Sequence, residues 1–267
     1  MNKKIIFVGC VKNITGYNDA FKNTIEETYK TFDNVSFYLI ESDSNDDTIN
    51  ILNEFKNNHK NFNFISLGNL SRNITKRTER IAYCRNKYLE YIYKNSIKYD
   101  LLCVLDMDND FKYPNKKITT DILNKFLKDE NCYGITCNTP TYYDIWALRD
   151  NECKSDCWIR IRYDVIRGIP LQLSKENNIK KYQKKINVNN KWEIKKSAFN
   201  GLAFYKINDL LEYKPIYCGS QKFGKEYYEL CEHVHFHDLL NKTSKKYLMF
   251  APNLLLDGNN IAKEHII

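Results

Sequence analysis

The stretch from Tyr99 to Asp110, YDLLCVLDMDND, constrains this chain more than any other. Leu101 to Leu105 are five consecutive apolar residues, the pattern of a strand covered on both faces, and Asp106, Asp108 and Asp110 follow at once. A rigid strand therefore delivers three carboxylates to one place. Acids at every second position repel one another, and a cation relieves the repulsion; hard oxygen ligands of this kind suit Mg²⁺ or Mn²⁺. Taken alone, the run also reads as an acidic turn after a strand.

The preceding segments supply context. Ile5 to Val11 is an apolar run that predicts a central strand, Asp19 to Thr31 a helix, and Val35 to Ile40 a second strand. That order is a βα unit and predicts a parallel sheet that binds ligands at the C-terminal ends of its strands. There the second strand meets ESDSNDDT, Glu41 to Thr48, where Ser44, Asn45 or Asp46 can cap the next helix. Glu41 or Asp43 is also well placed to accept hydrogen bonds from a ribose or base. A third strand is expected over Phe62 to Leu67, then a long helix whose first half is crowded by Arg72, Lys76, Arg77, Arg80 and Arg85. The positive end of the helix dipole disfavours cations there. A diphosphate near Arg80 and Arg85 would offset that cost, since guanidinium forks match phosphate oxygens, though a solvated basic face has the same composition.

After an expected helix at Lys116 to Lys128 and strand at Tyr133 to Cys137, periodicity is lost from Asn138 to Lys196. The Lys/Asn-rich run KENNIKKYQKKINVNNK reads as a solvent-facing loop. YYDIWALRD differs: Tyr143, Asp144, Trp146, Arg149 and Asp150 resemble a sugar-binding surface, although a buried Trp with solvated neighbours has the same composition. FNGLAFY, Phe199 to Tyr205, is apolar around Gly201, so the backbone there is expected to approach a ligand or another strand closely, with Asn200 meeting the ligand. In ELCEHVHFHD a strand would place Cys231, His233, His235 and His237 on one face, with a metal ligand expected among the histidines. From Tyr247 a terminal strand and tail are expected.

The chain of 267 residues carries 41 basic and 33 acidic side chains, a formal net charge of +8. The lysines are scattered, no nucleic-acid motif accompanies them, and an anionic ligand or surface is the expected partner rather than nucleic acid. No signal peptide or transmembrane segment is visible, so a cytoplasmic location is expected, with nine cysteines as reduced thiols.

Together, the VGCVKN strand, ESDSNDDT, Cys84-Arg85-Asn86, LDMD, YYDIWALRD, FNGLAFY and the late histidine stretch resemble a nucleotide-sugar-dependent glycosyltransferase of the GT-A fold. The series looks closest to the fungal capsule-associated α-1,3-mannosyltransferase family, from which this chain departs in lacking a membrane anchor and in its short Lys/Asn-rich insertion. The resemblance implies an α/β, Rossmann-like, mixed and mostly parallel sheet flanked by helices, in a single domain over residues 1–267: a nucleotide-sugar half, 1–138, and an acceptor half, 139–267. It implies a hexose, with mannose one candidate, moved from a nucleotide-diphosphate sugar to a glycan or other hydroxyl acceptor with Mn²⁺ or Mg²⁺. Asp106 would lie toward the ribose and share the metal with Asp108, which holds it on the diphosphate. Glu41 and Asp43 would sit at the nucleoside, and Arg80 and Arg85 near the pyrophosphate or donor sugar. Asp144, Trp146, Arg149 and Asp150 would face the sugars, and His235 or His237 would complete the metal shell. Asp108, Glu232 and Asp150 are the candidate catalytic carboxylates, with Glu232 the base if the reaction inverts. Two other readings compete: a metal-dependent hydrolase built on His233, His235 and His237, and a sugar-binding domain without turnover.

Overall fold

A computed structural model describes residues 3–95, 98–108, 110–223 and 226–257. The first half alternates strictly: β1 (Ile5–Val11), α1 (Asn18–Thr31), β2 (Val35–Glu41), α2 (Thr48–Asn58), β3 (Phe62–Ser66), α3 (Arg77–Asn95), β4 (Leu101–Leu105), α4 (Lys116–Lys128) and β5 (Cys132–Asn138). There follow α5 (Cys157–Ile166), α6 (Leu171–Asn178), β6 (Glu193–Lys195), β7 (Leu202–Lys206), α7 (Ile207–Tyr213), β8 (Ser220–Phe223), β9 (Glu226–Glu229), α8 (Glu232–Ser244) and β10 (Tyr247–Leu255). The tail expected after β10 falls on residues 258–267, outside the described residues.

Eight strands form one sheet in the order β3-β2-β1-β4-β7-β5-β10-β6, and β8 and β9 form a separate hairpin. β1 pairs in parallel with β2 and β4, β2 with β3, and β5 with β10. β7 runs antiparallel between β4 and β5, and β6 runs antiparallel along β10. This is the expected mixed, mostly parallel sheet with helices on both faces. Its core follows from strand alternation: Ile5 and Phe7 point into a layer with Phe21, Leu52 and Phe126, while Ile6 and Val8 point into one with Tyr88, Leu89 and Phe236. All five residues of β4 are buried, as its apolar run predicts.

Three expectations need correction. ELCEHVHFHD is not a strand: Cys231 is the N-cap of α8, and Glu232, His233, Phe236, His237 and Leu240 are buried at helical spacing. The long helix expected to carry Arg72 and Lys76 in its first half begins only at Arg77, and in the apolar stretch Phe199 to Tyr205 the strand starts at Leu202, after a left-handed turn at Asn200 (φ 62°) and Gly201 (φ 93°). The aperiodic segment contains α5 and α6, with Asn178 still helical inside the Lys/Asn run expected to be loop.

Candidate active site at the ends of the central strands

The site is assembled where β4 ends. At Gly9 on β1 an added Cβ would lie 2.6 Å from the Leu105 carbonyl and 2.7 Å from Met107 Cγ, so the absence of a side chain there lets the LDMD turn lie down on β1. The Asp106 N–H donates to the Gly201 carbonyl at 2.9 Å, which fixes that turn to the left-handed corner ahead of β7. Gly201 is demanded twice, by its φ and because a Cβ would meet Phe111 and the Tyr143 hydroxyl, each at 2.7 Å. Asn200 is fully buried and committed to the protein. Its Oδ1 accepts from the N–H of Tyr143 (3.0 Å) and of Asp144 (3.4 Å), and its Nδ2 donates to Thr139 Oγ1 at 2.7 Å. It thereby holds the Tyr143-Asp144 loop.

That loop lies in the field of the carboxylates: burial, then the charges of Asp106, Asp144 and Asp108, push the Tyr143 phenol well above its ordinary value. Asp108 is exposed, and Asp106 is half-buried. Asp110, read from sequence as a turn residue, is buried, and its Oδ1 has no hydrogen-bond partner among the described residues.

Behind Asp106 stands Arg85, delivered by α3 and only 6% exposed. Its Nε donates to Glu232 Oε1 at 2.9 Å, and its Nη2 lies 3.6 Å from Asp106 Oδ1. Phe199 and Tyr217 flank the guanidinium at 5.4 and 5.6 Å from their ring centroids. One buried cation thus links the first residue of α8 to the acid after β4. Arg85, expected near the pyrophosphate, thus lies against Asp106, and it engages Oε1 of Glu232, the candidate base. His233 stacks on Phe199 at 3.7 Å, and neither ring nitrogen has a hydrogen-bond partner among the described residues. Burial, then Arg85 and His237, push its pKa well below the ordinary value, so it is neutral.

At the end of β2, Glu41 is buried, accepting from the Ser44 N–H at 3.0 Å and from the Ser66 hydroxyl, so it braces the loop. Asp43 has φ 60°, accepts from the Ser71 N–H at 2.8 Å, and lies 3.7 Å from Arg80 Nε. Burial works to raise its carboxyl, but Ser71, Arg80 and Lys12 outweigh it and hold the group below the usual range. Arg80 also donates to the carbonyls of Ile74 (2.8 Å) and Thr75 (2.7 Å).

Trp146 and Arg149 share a partner that sequence reasoning missed. Trp146 Nε1 donates to Asp156 Oδ2 at 2.7 Å, and Arg149 Nη2 donates to the same oxygen at 3.2 Å. The other Asp156 oxygen caps α5, accepting from the N–H of Trp158 and Ile159. An acid one residue before a helix is the signal that would have found it. Asp150 is tied to Lys195 at 2.8 Å and lines a separate cleft with Glu152, Tyr182 and Lys184.

The histidines do not converge as expected. His237 is fully buried, with Nδ1 2.8 Å from Ser197 Oγ and Nε2 2.7 Å from Tyr205 OH, so both ring nitrogens are taken and neither is left for a metal. His235 lies two residues away on a helix, turned from that buried face and half-exposed. The HxHxD geometry of the hydrolase reading is therefore not formed. Among the described residues no three His, Cys, Asp or Glu side chains are gathered to hold a metal. A Mg²⁺ or Mn²⁺ fits what remains, Asp106 and the exposed Asp108 on one turn, because such ions are held by one or two carboxylates plus substrate phosphates.

No protein-family model matches the sequence, and no curated protein matches it. Solved structures do match by fold. The mannosyltransferase PcManGT from Pyrobaculum calidifontis, in complex with GDP-Man and Mn²⁺, superposes with a TM-score of 0.54 at 13% identity, covering 99% of this chain and 59% of that one. TarS 1-349 of S. aureus gives a TM-score of 0.50 at 10% identity, covering 96% of this chain and 60% of that one. The chain thus spans about three-fifths of the length of these structures. At such identities the likeness establishes the fold, which is of the GT-A type.

Proposed function

We propose that this chain transfers a sugar from a nucleoside-diphosphate donor to a hydroxyl acceptor with the help of Mn²⁺ or Mg²⁺. The observation that carries the reading is the turn at the carboxyl end of β4, where Asp106 lies against the buried Arg85 and Asp108 is exposed, with the charge of Asp144 felt at the same Tyr143. In an open α/β sheet this end of the strands is where ligands bind. The donor class is supported by the similar mannosyltransferase structure, which contains GDP-Man and Mn²⁺ and makes mannose the first sugar to test. The subfamily resemblance rests on the motifs quoted above.

Asp108, exposed at the turn, and Asp106 are the residues that would hold the cation. When bound, the cation stabilises negative charge developing on the departing diphosphate. Arg85 orients Asp106, and its second carboxylate, Glu232, keeps the guanidinium from being an uncompensated buried charge. Glu232 is thereby assigned to positioning rather than to proton abstraction. Asp43, kept ionised by Ser71 and Arg80, accepts from the nucleoside. Asp144 reaches the donor sugar or the acceptor from the loop that Asn200 anchors, and Trp146 and Arg149, fastened through Asp156, form the wall beside it. Asp150, on its own cleft, is placed at the acceptor side.

The test is release of nucleoside diphosphate from a panel of nucleotide sugars with Mn²⁺ and mixed glycan acceptors. Release from one donor, abolished in Asp106→Asn, is expected; no release from any donor, with no binding of any nucleotide, would overturn the reading.

A further inference from the structure

The helical pair α5–α6 carries an apolar surface that the site does not use. Tyr163, Val165, Ile166, Leu171 and Leu173 are 61%, 44%, 72%, 51% and 50% exposed, all within eleven residues at the turn between the helices. Scattered surface apolar residues need no explanation, but five of them within eleven residues at one turn do. The tip is held in shape. The Ser174 hydroxyl and the Asn178 amide both donate to Asp164 Oδ2 at 2.7 Å, clamping α6 onto α5, and Gly168 (φ 87°) and Pro170 make the turn.

Charge is arranged around it. From Lys154 to Lys181 there are seven basic side chains against three acidic ones, which accounts for half of the formal net charge of +8. Each of those acids is engaged by the protein: Asp156 with Trp146 and Arg149, Asp164 in the clamp, Glu176 with Lys180. Arg162 and Arg167 are exposed next to the apolar residues, and Arg162 lies over the Tyr228 ring at 5.0 Å, joining the pair to the β8–β9 hairpin.

We propose that the α5–α6 tip docks this protein on an anionic membrane surface, with Ile166, Leu171 and Leu173 entering the headgroup boundary and the arginines reaching acidic lipid headgroups. Apolar side chains rimmed by Arg, with Tyr among them, suit an interface where one end is apolar and the other wet and negatively charged. A second copy of the chain is disfavoured as occupant, because a two-fold contact would set the same excess of positive charge against itself. No described helix is long and apolar enough to cross a membrane, so the contact is interfacial.

Co-sedimentation with phosphatidylcholine vesicles containing about one-quarter phosphatidylserine tests this, against pure phosphatidylcholine as the neutral control. Wild-type protein is expected to bind the anionic vesicles, to bind the neutral ones at least about tenfold less, and to be released as salt rises. Ile166→Asp with Leu171→Asp, both exposed and so compatible with an unchanged melting temperature, should lower partitioning about tenfold or more. Arg167→Gln alone should lower it about fivefold. Equal binding to neutral vesicles, no binding to either, or undiminished binding by the Asp variant would each overturn the proposal. So would light scattering that shows a dimer dispersed by Ile166→Asp without vesicle binding.

Discussion

Arg85 shows how single side chains hold this site together. Its guanidinium is buried between two carboxylates and two aromatic rings, so each partner depends on the others. Replacing it by Met leaves Glu232 buried without its counter-charge, and such a break costs about 3 to 5 kcal/mol. Urea unfolding of Arg85→Met should show that loss, and adding Glu232→Gln should recover part of it; independent, additive effects would contradict the pairing. Single residues were also where the sequence was least legible. Asp106, Asp108 and Arg85 stand out by charge and position, but Asn200 and His237 are spent on internal hydrogen bonds that no spacing encodes. Asp156 was overlooked because its partners come from a loop ten residues back.

Among the elements, α8 makes the sharpest contrast with the sequence reading. A ten-residue window of alternating polar and apolar residues reads as a strand; the helical period shows once the window extends through Leu240 and beyond. α5 and α6 were missed for a different reason: their buried residues are Cys157 and Ile161, and Ser174 and Asn178, so neither presents an apolar stripe. The first five strands, by contrast, are apolar enough to be read to within a residue or two. Because α8 buries neutral His233 and His237, stability depends on pH. Burial holds His237 down at about 3, against about 6.5 in an unfolded chain. Above pH 6.5 both states are neutral and the full stability is present. As pH falls below that, the unfolded chain takes up the proton first, and each buried histidine removes up to about 1.4 kcal/mol per pH unit. Denaturation between pH 7 and 5 should show this slope, and His237→Gln should flatten it by about one proton; an unchanged slope would contradict the assignment. In the next segment, Asp156→Ala removes the α5 cap and frees Trp146 and Arg149, and should cost about 1 to 2 kcal/mol in thermal unfolding. It should also raise KM for the acceptor more than it lowers kcat, whereas a purely capping role would leave KM unchanged.

Taken as a whole, the molecule has a sheet that gathers distant sequence at one edge: β1 gives the glycine floor, β4 the acids, α3 the arginine, the corner before β7 the anchor, and α8 the counter-charge. This arrangement argues that the acids serve a cation and a diphosphate together, since the protein by itself gathers too few ligands for a closed metal cage among its described residues. Calorimetric titration with GDP, UDP and other nucleoside diphosphates, with Mn²⁺ or with chelator, tests that coupling most directly. One nucleotide should bind in the presence of Mn²⁺ and lose about a hundredfold or more in affinity with chelator, and Asp108→Asn should reproduce the loss without lowering the melting temperature. Binding of equal strength with chelator, or an Asp108→Asn variant that binds as the wild type does, would contradict the account.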